Sequence, residues 1–177
     1  MRIISGRCGG RTIVPPKNLR ARPTTDFAKE NLFNVLGNMI DFEDIEVLDL
    51  FAGTGSISYE FASRGAAAVT SVEINAVHYN FIRSTAKTFG FNNLHPVKAN
   101  SFLYLKSCTK QFDVIFSDAP YDLEGIENII DLVFENNLLK DDGIFIFEHS
   151  KSKDYSDNPH FKQLRSYGSV QFSIFEK

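Results

Sequence analysis

Short apolar runs alternate with amphipathic stretches along most of this chain, and Gly, Asn or Asp punctuates the joins. The runs at 45–50, 67–74, 95–99, 112–117 and 144–148 read as strands. Two of them, Phe112–Phe116 and Ile144–Phe147, are apolar on both faces apart from Asp113, as strands inside a parallel sheet must be. The intervening segments 56–64, 75–89, 101–107 and 125–137 carry helical spacing. An earlier helix, capped by Thr24, Thr25 or Asp26, reaches Gly37 or Met39 with Ala28, Leu32, Val35, Leu36 and Met39 on one face. Phe33 widens that face. This alternation predicts right-handed strand–helix–strand units and an α/β fold with a mostly parallel, doubly covered sheet.

Both ends break the pattern. Leu164–Phe175 alternates with a period of two around Tyr167-Gly168, which predicts two antiparallel strands closing the sheet edge. Residues 150–160 are polar and read as a loop. The first 23 residues, rich in Gly, Pro and Arg, read as a basic arm or hairpin, with strands at 3–4 and 12–14 and a turn at Gly9-Gly10. The expected organisation is this arm followed by one domain over 24–177.

Composition sharpens the picture at two points. A content of 43% hydrophobic and 23% charged residues in 177 residues suits a globular protein with a real core. The net charge of −3 looks wrong for a nucleic-acid enzyme, but it is unevenly spread. Residues 1–30 hold seven basic and two acidic side chains, and the remainder holds twelve basic and twenty acidic ones. A basic arm on an acidic body suits phosphate contacts on one face, with Arg2, Arg7, Arg11, Arg20 and Arg22 as candidates. Otherwise the arm is a solvated tail. The opening Met1–Arg7 lacks the apolar centre of a secretory signal and no stretch is long enough to span a bilayer, so a cytoplasmic protein without membrane contact is expected. Cys8 and Cys108 show no metal-ligand spacing and read as free thiols. His78, His95, His149 and His160 are scattered without partner spacing, so no metal site is expected.

The candidate chemistry lies at strand ends. Gly53-Thr-Gly55 follows a strand and opens a helix, where small residues let a ligand approach free backbone N–H groups. Alone, that loop is also an ordinary strand-to-helix turn. Glu73 ends the next strand and is placed to accept bonds from the hydroxyls of an adenosine ribose, or else to cap the helix near Asn75. Asp49 precedes the glycine loop and suits a ligand's amino group, or else is a turn acid. Asn100-Ser101 could meet an adenine edge, and an N-cap role is equally consistent.

The segment Ser117-Asp-Ala-Pro-Tyr121 discriminates best. Asp118 and a nearby backbone carbonyl can hold the hydrogens of a base's exocyclic amine, orienting its lone pair toward a methyl donor. Pro120 fixes the turn and Tyr121 supplies a stacking face for a flipped base. Together the two motifs point to methyl transfer from S-adenosylmethionine. Glu148 and His149 end the fifth strand beside this site, where a minor substrate role is conceivable.

The chain resembles the bacterial 16S rRNA (guanine(966)-N(2))-methyltransferases, the RsmD family, over nearly its whole length. The resemblance is carried by Met1-Arg-Ile-Ile-Ser-Gly-Arg7, Gly10-Arg11, Arg22-Pro-Thr-Thr-Asp26, Glu30-Asn-Leu-Phe-Asn34, Leu48–Gly55, Ser63-Arg-Gly-Ala66, Glu73 and Asp118–Tyr121. It implies a Rossmann-like class I S-adenosylmethionine-dependent methyltransferase fold with a terminal antiparallel strand. It also implies a donor site that includes Phe51, and a guanine of small-subunit rRNA as substrate, with a monomer as the expected state. Two departures stand out: Ala119 replaces the first proline of the usual Asp-Pro-Pro-aromatic motif, and Phe27 stands where arginine is usual. An adenine-N6 methyltransferase and a non-catalytic RNA-binding assembly factor are the alternatives.

Overall fold

In the computed structural model, which describes residues 1–16, 19 and 25–177, the helices pack on both faces of a seven-stranded sheet. The elements in chain order are α1 (Asp26–Leu36), β1 (Glu46–Leu50), α2 (Ser56–Ser63), β2 (Ala68–Glu73), α3 (Ala76–Phe89) and β3 (Leu94–Lys98). They continue as α4 (Ser101–Ser107), β4 (Phe112–Ser117), α5 (Asn128–Glu135), β5 (Leu139–Ser150), β6 (Phe161–Tyr167) and β7 (Val170–Glu176). The strand order is β3-β2-β1-β4-β5-β7-β6. The first five strands are parallel, whereas β7 runs antiparallel to β5 and β6 antiparallel to β7. This is the Rossmann-like class I methyltransferase architecture.

Side-chain alternation splits the core into two layers. Val47, Val69, Val114, Phe116, Ile144 and Ile146 pack with Leu32, Phe33 and Phe61 on one face. Leu48, Leu50, Ile115, Phe145 and Phe147 pack with Leu105, Ile129 and Val133 on the other. Asp113, the polar interruption in β4, accepts a hydrogen bond from the Glu46 backbone N–H at 2.7 Å and one from Lys140 Nζ at 2.8 Å. It therefore stitches the start of β1 to β5 rather than weakening the strand.

Element limits shift where local geometry overrides pattern. β5 begins at Leu139, five residues before the expected strand, because Leu139 already pairs with Phe112. The polar Lys140–Gly143 stretch then bulges out, with Asp142 at φ 62°, before the register resumes at Val114 and Ile144. α5 starts at Asn128 rather than 125, since 125–127 form a turn in which the Asn128 N–H bonds to Gly125 O. α1 opens on Thr25, whose hydroxyl accepts from the Ala28 N–H, and stops at Leu36. The expected strands of the arm reduce to one antiparallel bridge between Arg2 and Thr12.

The arm is nevertheless packed onto the domain. Ile3, Cys8 and Ile13 are buried in the same layer as Phe33 and Phe61. Every residue of α2 is buried, including Glu60, which is 0% exposed. Its carboxylate accepts the N–H groups of Ile4 and Ser5 at 2.8 and 3.0 Å and Arg64 Nε at 2.8 Å. Lys29, 1% exposed, lies 3.9 Å away and donates to Arg2 O and Ser56 Oγ. Burial pushes the Lys29 ammonium below its ordinary pKa, with Glu60 and Asp26 pulling the other way.

A buried carboxylate with this many partners cannot be removed without stranding them. Glu60→Ala should cost about 3–5 kcal/mol of stability, read as a lowered midpoint in urea unfolding. Cleavage by trypsin within the first 13 residues should accelerate in the same variant, because the arm loses its anchor.

Candidate functional site

On leaving β1 the chain goes to β2 on one side and on leaving β4 it goes to β5 on the other, so the strand order reverses between β1 and β4 and a crevice opens at their carboxyl ends. A cavity of about 560 Å³ occupies this crevice. Four neighbouring strand ends each send an acid to its wall: Asp49 from β1, Glu73 from β2, Asp118 after β4 and Glu148 from β5. Phe51, Gly53, Pro120 and Tyr121 border it as well.

The glycine loop is shaped for close approach. A Cβ at Gly55 would sit 2.8 Å from Tyr59 Cζ and the backbone there has φ 83°, so only glycine fits. At Gly53, φ is 54° and a Cβ would meet only Phe51 O at 3.9 Å, leaving the space in front of the loop open. Phe51 itself adopts φ 56°, a strained conformation for an aromatic residue. Its N–H donates to Ser101 Oγ at 3.3 Å and its ring meets Phe102 edge-on.

Glu73 is fixed by the backbone it faces. One oxygen accepts the Gly53 N–H at 2.8 Å and the other the Asn75 N–H at 2.7 Å. It thereby ties the end of β2 to the glycine loop, with His78 Nδ1 4.0 Å away. Asp49 is 1% exposed and accepts a hydrogen bond from the Ser58 hydroxyl, which is itself bonded to Ser71 Oγ at 2.8 Å. Burial pushes the Asp49 carboxyl up to about 7; the Ser58 bond opposes that shift, while the charges of Asp118 and Glu73 add to it. Tyr121, 39% exposed, donates its hydroxyl to Glu148 Oε1 at 3.1 Å, and Glu148 is 4% exposed.

The remaining candidates are placed differently. Asn100 caps α4, accepting from the N–H groups of Phe102 and Leu103, and Ser101 supports Phe51; neither residue borders the cavity. Arg2 lies 3.7 Å from Glu30. Arg7 sits over the Phe91 ring at 5.1 Å and donates to Gly90 O, while Arg11 sits over Phe89 at 4.2 Å. Arg20 and Arg22 lie outside the described residues. The cavity wall also contains Phe27, Ile74, His78 and the β6–β7 turn Tyr167–Val170, none of which the sequence reading assigned to it. Phe27 and Ile74 are 65% and 59% exposed, an unusual state for large apolar side chains. Ile74 carried a readable signal, an apolar residue directly after a strand-ending acid; the turn carried none.

Comparison with known proteins gives this geometry its context. Residues 1–176 match the family model described as Conserved hypothetical protein 95, that of the RsmD proteins. The chain belongs to this family. It is 35% identical to Ribosomal RNA small subunit methyltransferase D of Haemophilus influenzae over 99% of this chain and 93% of that one. It is 34% identical to the protein of the same name from Escherichia coli K12, over 84% and 74% of the two chains. The solved structure of the candidate methyltransferase yhhF of Escherichia coli superposes with a TM-score of 0.86 at 28% identity, covering 100% of this chain and 97% of that one.

The family's methyl donor is S-adenosylmethionine, and the cavity suits it. A donor bearing a sulfonium and an ammonium group meets a wall with four carboxyl groups, an open glycine loop and the exposed face of Ile74. Among the described residues no helix is long and apolar enough to cross a membrane.

The buried acid makes a measurable demand on the donor-free protein. With a folded pKa near 7 against the usual 3.8, Asp49 keeps a proton that the unfolded chain releases. Its contribution to stability therefore falls as pH rises from about 4 to about 7 and is level above that. Asp49→Asn removes the titration, so its stability relative to wild type should rise across that window. Urea midpoints of the two proteins at several pH values check this, and a constant difference would contradict it.

Proposed function

We propose that this protein transfers the methyl group of S-adenosylmethionine to the exocyclic N2 amine of a guanine in 16S rRNA. Guanine 966 on the assembled small subunit is the target that family resemblance favours. The observation that carries the reading is the meeting, in one cavity, of the Asp118–Tyr121 turn with the Gly53 loop and Glu73. The names of the Haemophilus and Escherichia relatives support the rRNA substrate.

Each side chain then has a task. Glu73 accepts the ribose hydroxyls while holding the glycine loop closed beneath them. Asp49 faces the ammonium end of the donor, and Ile74 offers an apolar face to the adenine. Asn100 and Ser101 act on this subsite through the start of α4 and the backbone of Phe51. The donor supplies an electrophilic methyl carbon on a cationic sulfur.

On the acceptor side, Tyr121 stacks the flipped base and Pro120 holds the turn that presents it. The N2 lone pair is delocalised into the guanine ring, which makes it a weak nucleophile. Asp118 holds an N2 hydrogen, so the lone pair faces the methyl carbon, and it stabilises the positive charge that reaches nitrogen as the N–C bond forms and the S–C bond breaks. It is also the group placed to take the proton that N2 sheds. The arm contributes phosphate contacts. Arg7 and Arg11 are held against Phe91 and Phe89, so less side-chain freedom is lost when RNA docks.

Asp118→Ala should abolish methyl transfer to unmethylated small subunits and leave calorimetric donor affinity unchanged. Wild-type turnover in that variant would sink the mechanism, and mapping the labelled nucleotide tests the target. Glu73→Ala should weaken donor and demethylated product alike, by about 1.5–3 kcal/mol for a hydrogen-bonded charged group. Arg7→Glu with Arg11→Glu should raise the KM for subunits and flatten the salt dependence of RNA binding by about one unit of slope per lost phosphate contact. Unaltered salt slope would instead make the arm a solvated tail.

A further inference from the structure

The geometry points to Glu148 as the residue that selects guanine, by accepting the ring N1–H beside the amine that Asp118 holds. The inference rests on the guanine-N2 reading above and names the group that enforces it.

The placement comes from the sheet. Ser117 and Phe147 are register partners on the parallel strands β4 and β5. Asp118 and Glu148 are the next residues on the two chains, directly past a register pair on strands that lie about 4.8 Å apart. Both border the cavity. The Tyr121 hydroxyl donates to Glu148 Oε1 at 3.1 Å, so the stacking ring points its edge at this carboxylate. A base lying on that ring turns its own edge toward the same two acids. Glu148 is 4% exposed, a depth at which an acid is found with hydrogen-bonding partners. A carboxylate accepts several hydrogen bonds at once, so the Tyr121 bond and a base contact are compatible.

The chemistry of the edges decides the preference. Guanine presents two adjacent donor groups, N1–H and the N2 amine, to a pair of carboxylates. Adenine presents its N6 amine beside the bare N1 lone pair, which a carboxylate repels. An adenine-N6 enzyme using the Asp118 grip would gain nothing from an acid at 148. A site that leaves a buried polar group facing the wrong partner rejects its ligand far more strongly than a site that merely fits poorly.

The test uses small subunits reconstituted with 16S rRNA carrying either guanine or 2-aminopurine at the methylated position. The analogue keeps the amine but has a lone pair at N1. Wild type should favour guanine by at least 100-fold in kcat/KM. In Glu148→Gln, whose amide can donate to N1, this preference should shrink at least tenfold while calorimetric donor affinity holds. Tyr121→Phe removes the hydroxyl contact to Glu148 and should leave the preference in place. Three results overturn the inference. Glu148→Gln retains the wild-type preference; Tyr121→Phe erodes it equally, making Glu148 only a support for the ring; or Glu148→Gln loses donor binding. If wild type methylates no guanine N2 in either subunit, the guanine reading itself fails and this inference falls with it. Guanine methylation with an unaltered Glu148→Gln preference removes the inference alone.

Discussion

Four carboxyl groups converge at the carboxyl edge of the sheet, and holding them there against desolvation and mutual repulsion is the constraint on which the site depends. The fold answers it locally. Glu73 takes two backbone N–H groups in place of water, and Glu148 accepts from Tyr121. Asp49, the most enclosed, responds by holding its proton near neutral pH. On the proposed function, a cationic donor bound beside Asp49 relieves the same strain in a different way, because it favours the ionised form that burial disfavours. Donor affinity and donor-free stability are thus linked through one acid.

The arm and the donor loop are joined by a second buried charge. Glu60 takes two backbone N–H groups of the arm, while Lys29 reaches from α1 to Arg2 O and to Ser56 Oγ at the start of α2. Ser56 is the first residue after the glycine loop. The segment carrying Arg2, Arg7 and Arg11 is therefore rigidly referenced to the loop that faces the donor. On the proposed function, a phosphate-binding surface placed this way fixes distance as well as charge, which a loose tail does not.

How much of this was legible in the sequence follows from where each residue gets its position. Phe112–Phe116 and Ile144–Phe147 were readable because both faces are buried and their residues are apolar apart from Asp113. Asp49, Glu73 and Asp118 were readable because a strand end followed by a turn is a local pattern, and strand ends are where parallel sheets keep ligands. The start of β5 was hidden by Lys140–Gly143, polar residues that bulge between two paired segments. The burial of Ile3, Cys8 and Ile13 was masked by the basic residues between them. Phe27 and Tyr167 meet at the cavity only after the chain has closed over 139 intervening positions, and neither shows a local signature for that.

The charge distribution now has a physical consequence. An acidic cavity attracts a cationic donor and repels the phosphates flanking any target base, so the features that favour one substrate oppose the other. Separating the two charges in space resolves the conflict. Cations on the arm sit over Phe89 and Phe91, at the far end of α3 from Asn75 and the donor cavity. On the proposed function, RNA is gripped by its backbone at one place while a single neutral base crosses into the acidic pocket at another. A base brings no phosphate charge on its ring, and its donor edge welcomes carboxylates. On this reading, base flipping gives access to the amine and is also the only way a polyanion can enter a site built for a cation.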